Sequence, residues 1–139
     1  MSDIALVDTG PLVALLSLRD AHHRWTVDMF AAERGRLVTC EAVLAETCFL
    51  LKRAAPAVDA VMSRVADGTL GVESLAEDGA NLRRLMHKYA DVPMSYADAC
   101  IVRLVEKLPR VRVITLDRDF RIYRSHGRRQ IPLVAPFGY

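Results

Sequence analysis

Residues 4–16 read IALVDTGPLVALL, and this stretch decides the fold. Ile4, Ala5, Leu6 and Val7 form an apolar run of the length and bulk expected of a buried strand. Asp8 interrupts the run. Pro11 then suits the first turn of a helix that Leu12 to Leu16 continue. A carboxylate therefore stands where a strand leaves the core. One such aspartate can be no more than a helix cap, so its meaning depends on whether other acids reach the same edge.

A second one does. Residues 111–116, VRVITL, are a β-branched run that again predicts a buried parallel strand, and Asp117 follows directly. In open α/β sheets ligands bind at the carboxyl ends of strands, where neighbouring strands diverge and leave a crevice. Glu46 is the third acid. It lies in a helix predicted over 41–53, with Ala42, Val43, Phe49 and Leu50 three and four positions away. A carboxylate on so apolar a face has to snorkel, pair with an arginine, or serve a site. Glu41, in the first turn of that helix, reads as a partner of the helix dipole. Asp98 is the fourth. Ser95-x-x-Asp98 has capping-box spacing, so Asp98 is either the cap partner of Ser95 or a ligand at a helix start beside the apolar residues 99–102.

Around these points strands and helices alternate. A helix over 20–34 closes on Gly35 as its C-terminal cap, and a strand is predicted at 37–39. Pro56 opens a helix over 57–67 that ends at Asp67-Gly68. A strand at 70–73, a helix at 76–89, a helix at 96–107 capped by Ser95, and a weak strand near 131–135 complete the pattern. The expectation is one α/β domain over residues 1–139, with a mostly parallel sheet covered by helices.

Composition agrees. A chain of 139 residues with 52% hydrophobic and 26% charged residues is a globular protein, not a disordered one. The net charge of +2 implies no general affinity for nucleic acid, so any basic surface must be local. Cys40, Cys48 and Cys100 are odd in number and form no C-x-x-C pair, which points to buried thiols in a reducing cytoplasm. Neither a signal peptide nor a membrane span is expected.

Asp8, Glu46, Asp98 and Asp117 bring only oxygen ligands from four segments. Like charges cannot all ionise together unaided, but Mg²⁺ or Mn²⁺ neutralises them and favours carboxylate ligands. Such ions polarise a phosphodiester and activate water for in-line attack. His22, His23, His87 and His126 fall outside this pattern, which disfavours zinc.

The motifs VDTGPLVALL, VLAET, YADVPMSYADACIVRLVEKL and VITLDRDF, in this order and spacing, make the chain resemble the PIN-domain ribonucleases. The resemblance is closest to VapC-type toxins of toxin–antitoxin modules and spans essentially the whole chain. It implies a three-layer α/β/α sandwich and metal-dependent endoribonuclease activity. It places the acidic quartet on Asp8, Glu46, Asp98 and Asp117, and makes Thr115 and Thr9 supporting residues. It also implies a homodimer and a cognate antitoxin whose C-terminal segment crosses the acidic cleft. Asp119 reads as a further acid or as the cap of a short helix, and Asp91 as a structural loop residue.

Arg118, Arg121, Arg124, Arg128 and Arg129, with Phe120 and Tyr123 among them, are either a solvated surface or a track for an RNA backbone. Phe49, Leu50, Leu51, Val58, Val61 and Met62 exceed what one core-facing stripe needs, which leaves room for a partner helix. Rival readings are weaker. Gly10 stands where an aspartyl-phosphate phosphatase needs a second acid, and no G-x-G-x-x-G follows the first strand. A catalytically idle binding module and a housekeeping RNA-processing nuclease remain as alternatives.

Overall fold

In the structure, a computed structural model that describes residues 3–137, Ile4–Val7 is buried along its whole length as strand β1. The strands that follow are β2 (Arg36–Cys40), β3 (Gly71–Glu73), β4 (Val111–Ile114), β5 (Arg124–Ser125), β6 (Arg129–Gln130) and β7 (Leu133–Val134). Five of them form one sheet in the order β3-β2-β1-β4-β7, and every pairing in it is parallel. Strands β5 and β6 make a separate antiparallel hairpin that the sequence did not announce.

Parallel strands need crossovers, and the helices supply them. These are α1 (Thr9–Leu15), α2 (His23–Ala32), α3 (Glu41–Leu50), α4 (Ala55–Ala66), α5 (Gly79–Lys88) and α6 (Tyr96–Lys107). They flank the sheet as a three-layer α/β/α sandwich. Helix α6 is the most deeply packed, with every residue from Ala97 to Val102 buried. Arg103 and Lys107 on its outer side reach the carboxylate of Asp78, at 2.9 and 2.8 Å, and tie it to the start of α5.

Several elements end sooner than their sequence pattern suggests. Helix α2 spans 23–32, not 20–34, and Gly35 does not cap it. Its cap residue is Glu33, in an extended conformation. Gly35 is required for a close approach instead: a Cβ there would lie 3.0 Å from the Asp3 carbonyl, the Glu33 carboxylate and the Arg112 guanidinium. Helix α3 stops at Leu50 because Leu51–Ala54 fold into a tight turn, with the Ala54 amide donating to the Leu51 carbonyl at 2.8 Å. Strand β4 stops at Ile114, which leaves Thr115 and Leu116 to shape the sheet edge.

The surplus of apolar residues on α3 and α4 divides. Leu51 and Val61 enter the core and Val58 is half-buried, whereas Phe49, Leu50 and Met62 are exposed. Among the described residues no helix is long and apolar enough to cross a membrane. Cys40, Cys48 and Cys100 are free thiols.

Candidate active site

The sheet turns in opposite directions from β1: β2 lies on one side and β4 on the other. That switch point opens a crevice at the carboxyl edge. The register pairs Val7 with Ile114, so Asp8 and Thr115 are the next residues on adjacent strands. The Thr115 hydroxyl donates to Asp8 Oδ2 at 2.8 Å and accepts the Asp117 amide at 2.9 Å. One threonine therefore fixes both strand-end aspartates. The side chain of Asp8 makes no capping bond to α1, so the helix-cap reading does not account for it.

The other acids come from the helices. Asp98 lies in the first turn of α6, where its amide donates to the Ser95 hydroxyl at 3.0 Å. Its Oδ2 accepts a hydrogen bond from the Tyr123 hydroxyl at 2.8 Å. The amide serves the cap, while the carboxylate, which Ser95 also helps to hold, faces Tyr123 and the site. Glu46 is exposed on α3, whose buried residues are Val43 and Thr47. The apolar face expected around it divides: Val43 is core and Ala42 packs against it, whereas Phe49 and Leu50 are exposed. None of the ion pairs among the described residues involves Glu46.

All four acids line a single cleft of about 570 Å³, together with Thr9, Gly10, Leu116 and Arg118. Their ionisation shows that they sense one another. Burial pushes the Asp8 carboxyl up to about 7; the Thr115 hydroxyl offsets part of this, and Asp98 and Asp117 add to it. Asp98 is raised by burial and then by Asp117, against the lowering effect of Tyr123 and Ser95. Glu46 is raised by desolvation and by Asp98, and Asp119 by desolvation and by Asp117.

The donor set suits a hard divalent cation. It consists of carboxylates that oppose one another, and Thr9, which also lines the cleft, keeps its hydroxyl buried without a hydrogen-bond partner. Among the described residues no three such side chains stand close enough, as placed, to share one ion. The carboxylates would therefore have to draw inward around it.

Other sequence expectations sort themselves here. Asp119 does not cap the 3₁₀ turn at Arg118–Arg121. Asp117 does, accepting the Asp119 amide at 2.9 Å. Asp91 is exposed in the turn before Met94, outside the cleft lining. Of the arginines, Arg118 lines the cleft, and both it and Arg121 lie over the Phe137 ring, at 4.9 and 5.4 Å. Arg124 turns back onto the carbonyls of Arg121, Ile122 and Tyr123. Arg128 and Arg129 sit on the β5–β6 hairpin, whose tip is held by Glu106 and Lys88 at the far end of α6 and α5. The five do not form one track beside Asp117. Phe120 and Tyr123, expected among them at the surface, are fully buried.

Tyr123 is the residue in contact with the acids that sequence reading did not connect to them. Its ring packs edge-on against Tyr89 and Phe120, both at 5.1 Å, which aims the hydroxyl at Asp98. Tyr123→Phe keeps that packing and removes the donor. A hydrogen bond to a charged group contributes about 1.5–3 kcal/mol, so the variant should lose on the order of 2 kcal/mol of stability and raise the Asp98 carboxyl further. The expected catalytic result is a pH–rate profile displaced to higher pH, and an unmoved profile would show that the hydroxyl serves packing alone.

The comparisons accord with this geometry. The family model for the PIN domain matches residues 5–125. Among solved structures the fold is similar to Mycobacterium tuberculosis VapC20, described as a sarcin–ricin loop cleaving toxin. The TM-score is 0.68 at 24% identity, over 74% of this chain and 82% of that one. No curated protein matches the chain significantly. With a parallel sheet in this order and a family match across most of its length, the chain belongs to the PIN-domain family.

Proposed function

We propose that this PIN-domain protein is an endoribonuclease that hydrolyses RNA phosphodiester bonds with Mg²⁺ or Mn²⁺, and that it is the toxin of a toxin–antitoxin pair. The observation that carries the reading is the single cleft into which Asp8, Glu46, Asp98 and Asp117 are gathered from four segments, with Thr115 holding two of them, where burial raises the Asp8 carboxyl. Such an arrangement is unfavourable unless a cation occupies it.

Asp8, Glu46, Asp98 and Asp117 are the residues that would hold the ion. When bound, it neutralises the phosphate and makes water a nucleophile near neutral pH. The protein's own groups orient the rest. Thr115 holds Asp8 and Asp117 in register, and Tyr123 holds Asp98. Thr9 supports the cleft wall beside Asp8, and Arg118, which also lines the cleft, attracts the phosphate backbone. Asp119 supports Asp117 through the turn that follows it.

The toxin assignment extends the likeness to VapC20. A homodimer in a reducing cytoplasm, silenced by an antitoxin, is the assembly it implies. An antitoxin arginine can satisfy two carboxylates at once and so displace a metal from the cleft. Expression alone should arrest growth, and co-expression of the adjacent small gene should restore it. Purified protein should cleave RNA with Mn²⁺ and not with chelator. Cleavage without arrest would leave a housekeeping nuclease, and absence of both would leave an idle binding module.

A further inference from the structure

Two of the three thiols meet away from the acidic cleft. Cys40 ends β2 and stands at the N-terminus of α3, while Cys100 lies in the second turn of α6. Both are almost fully buried, yet their side chains are in hydrogen-bonding contact and line one cavity of about 300 Å³. Its other polar members are Glu41, Glu73, Ser74 and Tyr96. The cavity is not sealed, because Glu41 and Tyr96 on its wall are exposed. The chemistry of the acidic cleft uses neither sulfur. Among the described residues no three side chains here are placed to share a metal ion, so the pair points to thiol chemistry.

Buried cysteines are ordinarily inert, and this pair departs from that rule in its surroundings. The Cys100 thiol donates to Cys40 and holds it below the ordinary thiol range, against the opposing effect of burial. The Val43 and Ala42 amides at the start of α3 act in the same sense, although neither closes a full capping bond. One sulfur thus faces a small open space with a second sulfur already touching it. In that arrangement an oxidised cysteine is captured by its neighbour before it oxidises further. The carboxylates of Glu41 and Glu73 repel anionic oxidants, and the narrow cavity favours a molecule about the size of water. A neutral peroxide meets both conditions. Cys48, half-buried on α3, lies outside this cavity and offers a contrast.

We propose that Cys40 and Cys100 form a peroxide-oxidisable pair that closes to a disulfide and ties the start of α3 to α6. The Cys40 thiolate attacks one peroxide oxygen. The O–O bond breaks, hydroxide leaves and takes up a proton, and Cys40 becomes a sulfenic acid. The Cys100 sulfur then attacks the Cys40 sulfur. The S–S bond forms, the S–O bond breaks, and the departing hydroxide leaves as water with the Cys100 proton. Two thiols and one peroxide give one disulfide and two waters, with the electron pair passing from sulfur to oxygen. Glu46 follows on α3 and Asp98 stands two residues before Cys100, so the bond restrains both acids against inward movement. That consequence rests on the ribonuclease reading, whereas the bond does not.

The test treats the metal-free full chain with a small excess of hydrogen peroxide and maps its peptides. The expected product has lost two hydrogens and joins the peptides of Cys40 and Cys100, with Cys48 still open to alkylation. It should melt roughly 10 °C above the reduced protein, as closure of a long loop predicts, and dithiothreitol should reverse the shift. Cys100→Ser should stop at a sulfenic acid trapped by dimedone, and Cys40→Ser should give neither adduct nor bond. Cys48→Ser should behave as wild type. With Mn²⁺ restored, the oxidised protein should cut RNA about tenfold more slowly, since small misplacements of catalytic groups are costly. Wild-type peptides that stay unlinked, or that link first through Cys48, overturn the pair, and this result needs no variant to fold. A linked protein of undiminished rate overturns the restraint. If the reduced protein cuts no RNA, the ribonuclease reading fails and the peptide map alone decides the pair.

Discussion

Asp98→Asn should lower kcat/KM for RNA about a thousandfold, close to 4 kcal/mol of transition-state stabilisation, while the protein stays folded. The fold survives because the cap at this point uses the residue 98 amide, which donates to Ser95 whatever the side chain is. An asparagine oxygen can still accept from Tyr123. What disappears is one negative charge from a cleft whose other members are Asp8, Glu46 and Asp117. Asp8→Asn and Asp117→Asn should behave alike. Steady-state kinetics, with circular dichroism to monitor folding, decide the matter. A folded Asp98→Asn enzyme of normal rate would reduce this residue to the capping partner that its spacing from Ser95 also allows.

The second large effect concerns stability. Asp8 titrates near 7 in the folded protein against an ordinary value of 3.8. Below about pH 4 the group is protonated whether the chain is folded or not. Between the two values the fold keeps a proton that the unfolded chain has released, so stability falls as pH rises through this window. By pH 8 the penalty is complete, and about three units at 1.36 kcal/mol each give on the order of 4 kcal/mol. Asp8→Asn removes it. In the absence of divalent ions the variant should melt about 10 °C above wild type at pH 8, with little difference at pH 4. The difference between the two proteins reports Asp8 together with its coupling to Asp98 and Asp117, whereas the shifts of Glu46 and Asp119 are common to both. Mn²⁺ at a hundredfold excess over its dissociation constant should return about 2.7 kcal/mol to wild type and less to the variant. Equal melting temperatures at pH 8 would show that Asp8 bears no such burden.

Much of this site was legible because carboxylates interrupt apolar text at four places, and strand ends and helix starts can be found from hydrophobic pattern. The parallel sheet was legible for the same reason, since β1 and β4 read as continuous buried runs. Tyr123 was not. Its hydroxyl meets Asp98 across 25 residues of sequence, and the arginines around it made the segment look exposed. The orientation of Glu46 also escaped, because a run such as FLL gives no sign that Phe49 and Leu50 face outward while Leu51 turns in. The β5–β6 hairpin has two-residue strands, too short for a periodicity to register. Gly35 was read as a cap because nothing local reveals that Asp3 and Arg112 will crowd it.

The Thr115–Asp8 hydrogen bond spans 107 residues, one of the longest loops this chain can close. Its formation waits for β4 to pair with β1, a parallel, non-local docking of the kind that slows folding. Asp8 and Asp117 are therefore held in register only once β1 and β4 have paired. On the ribonuclease reading, a chain that has not yet closed this pair is folded in part and cuts nothing.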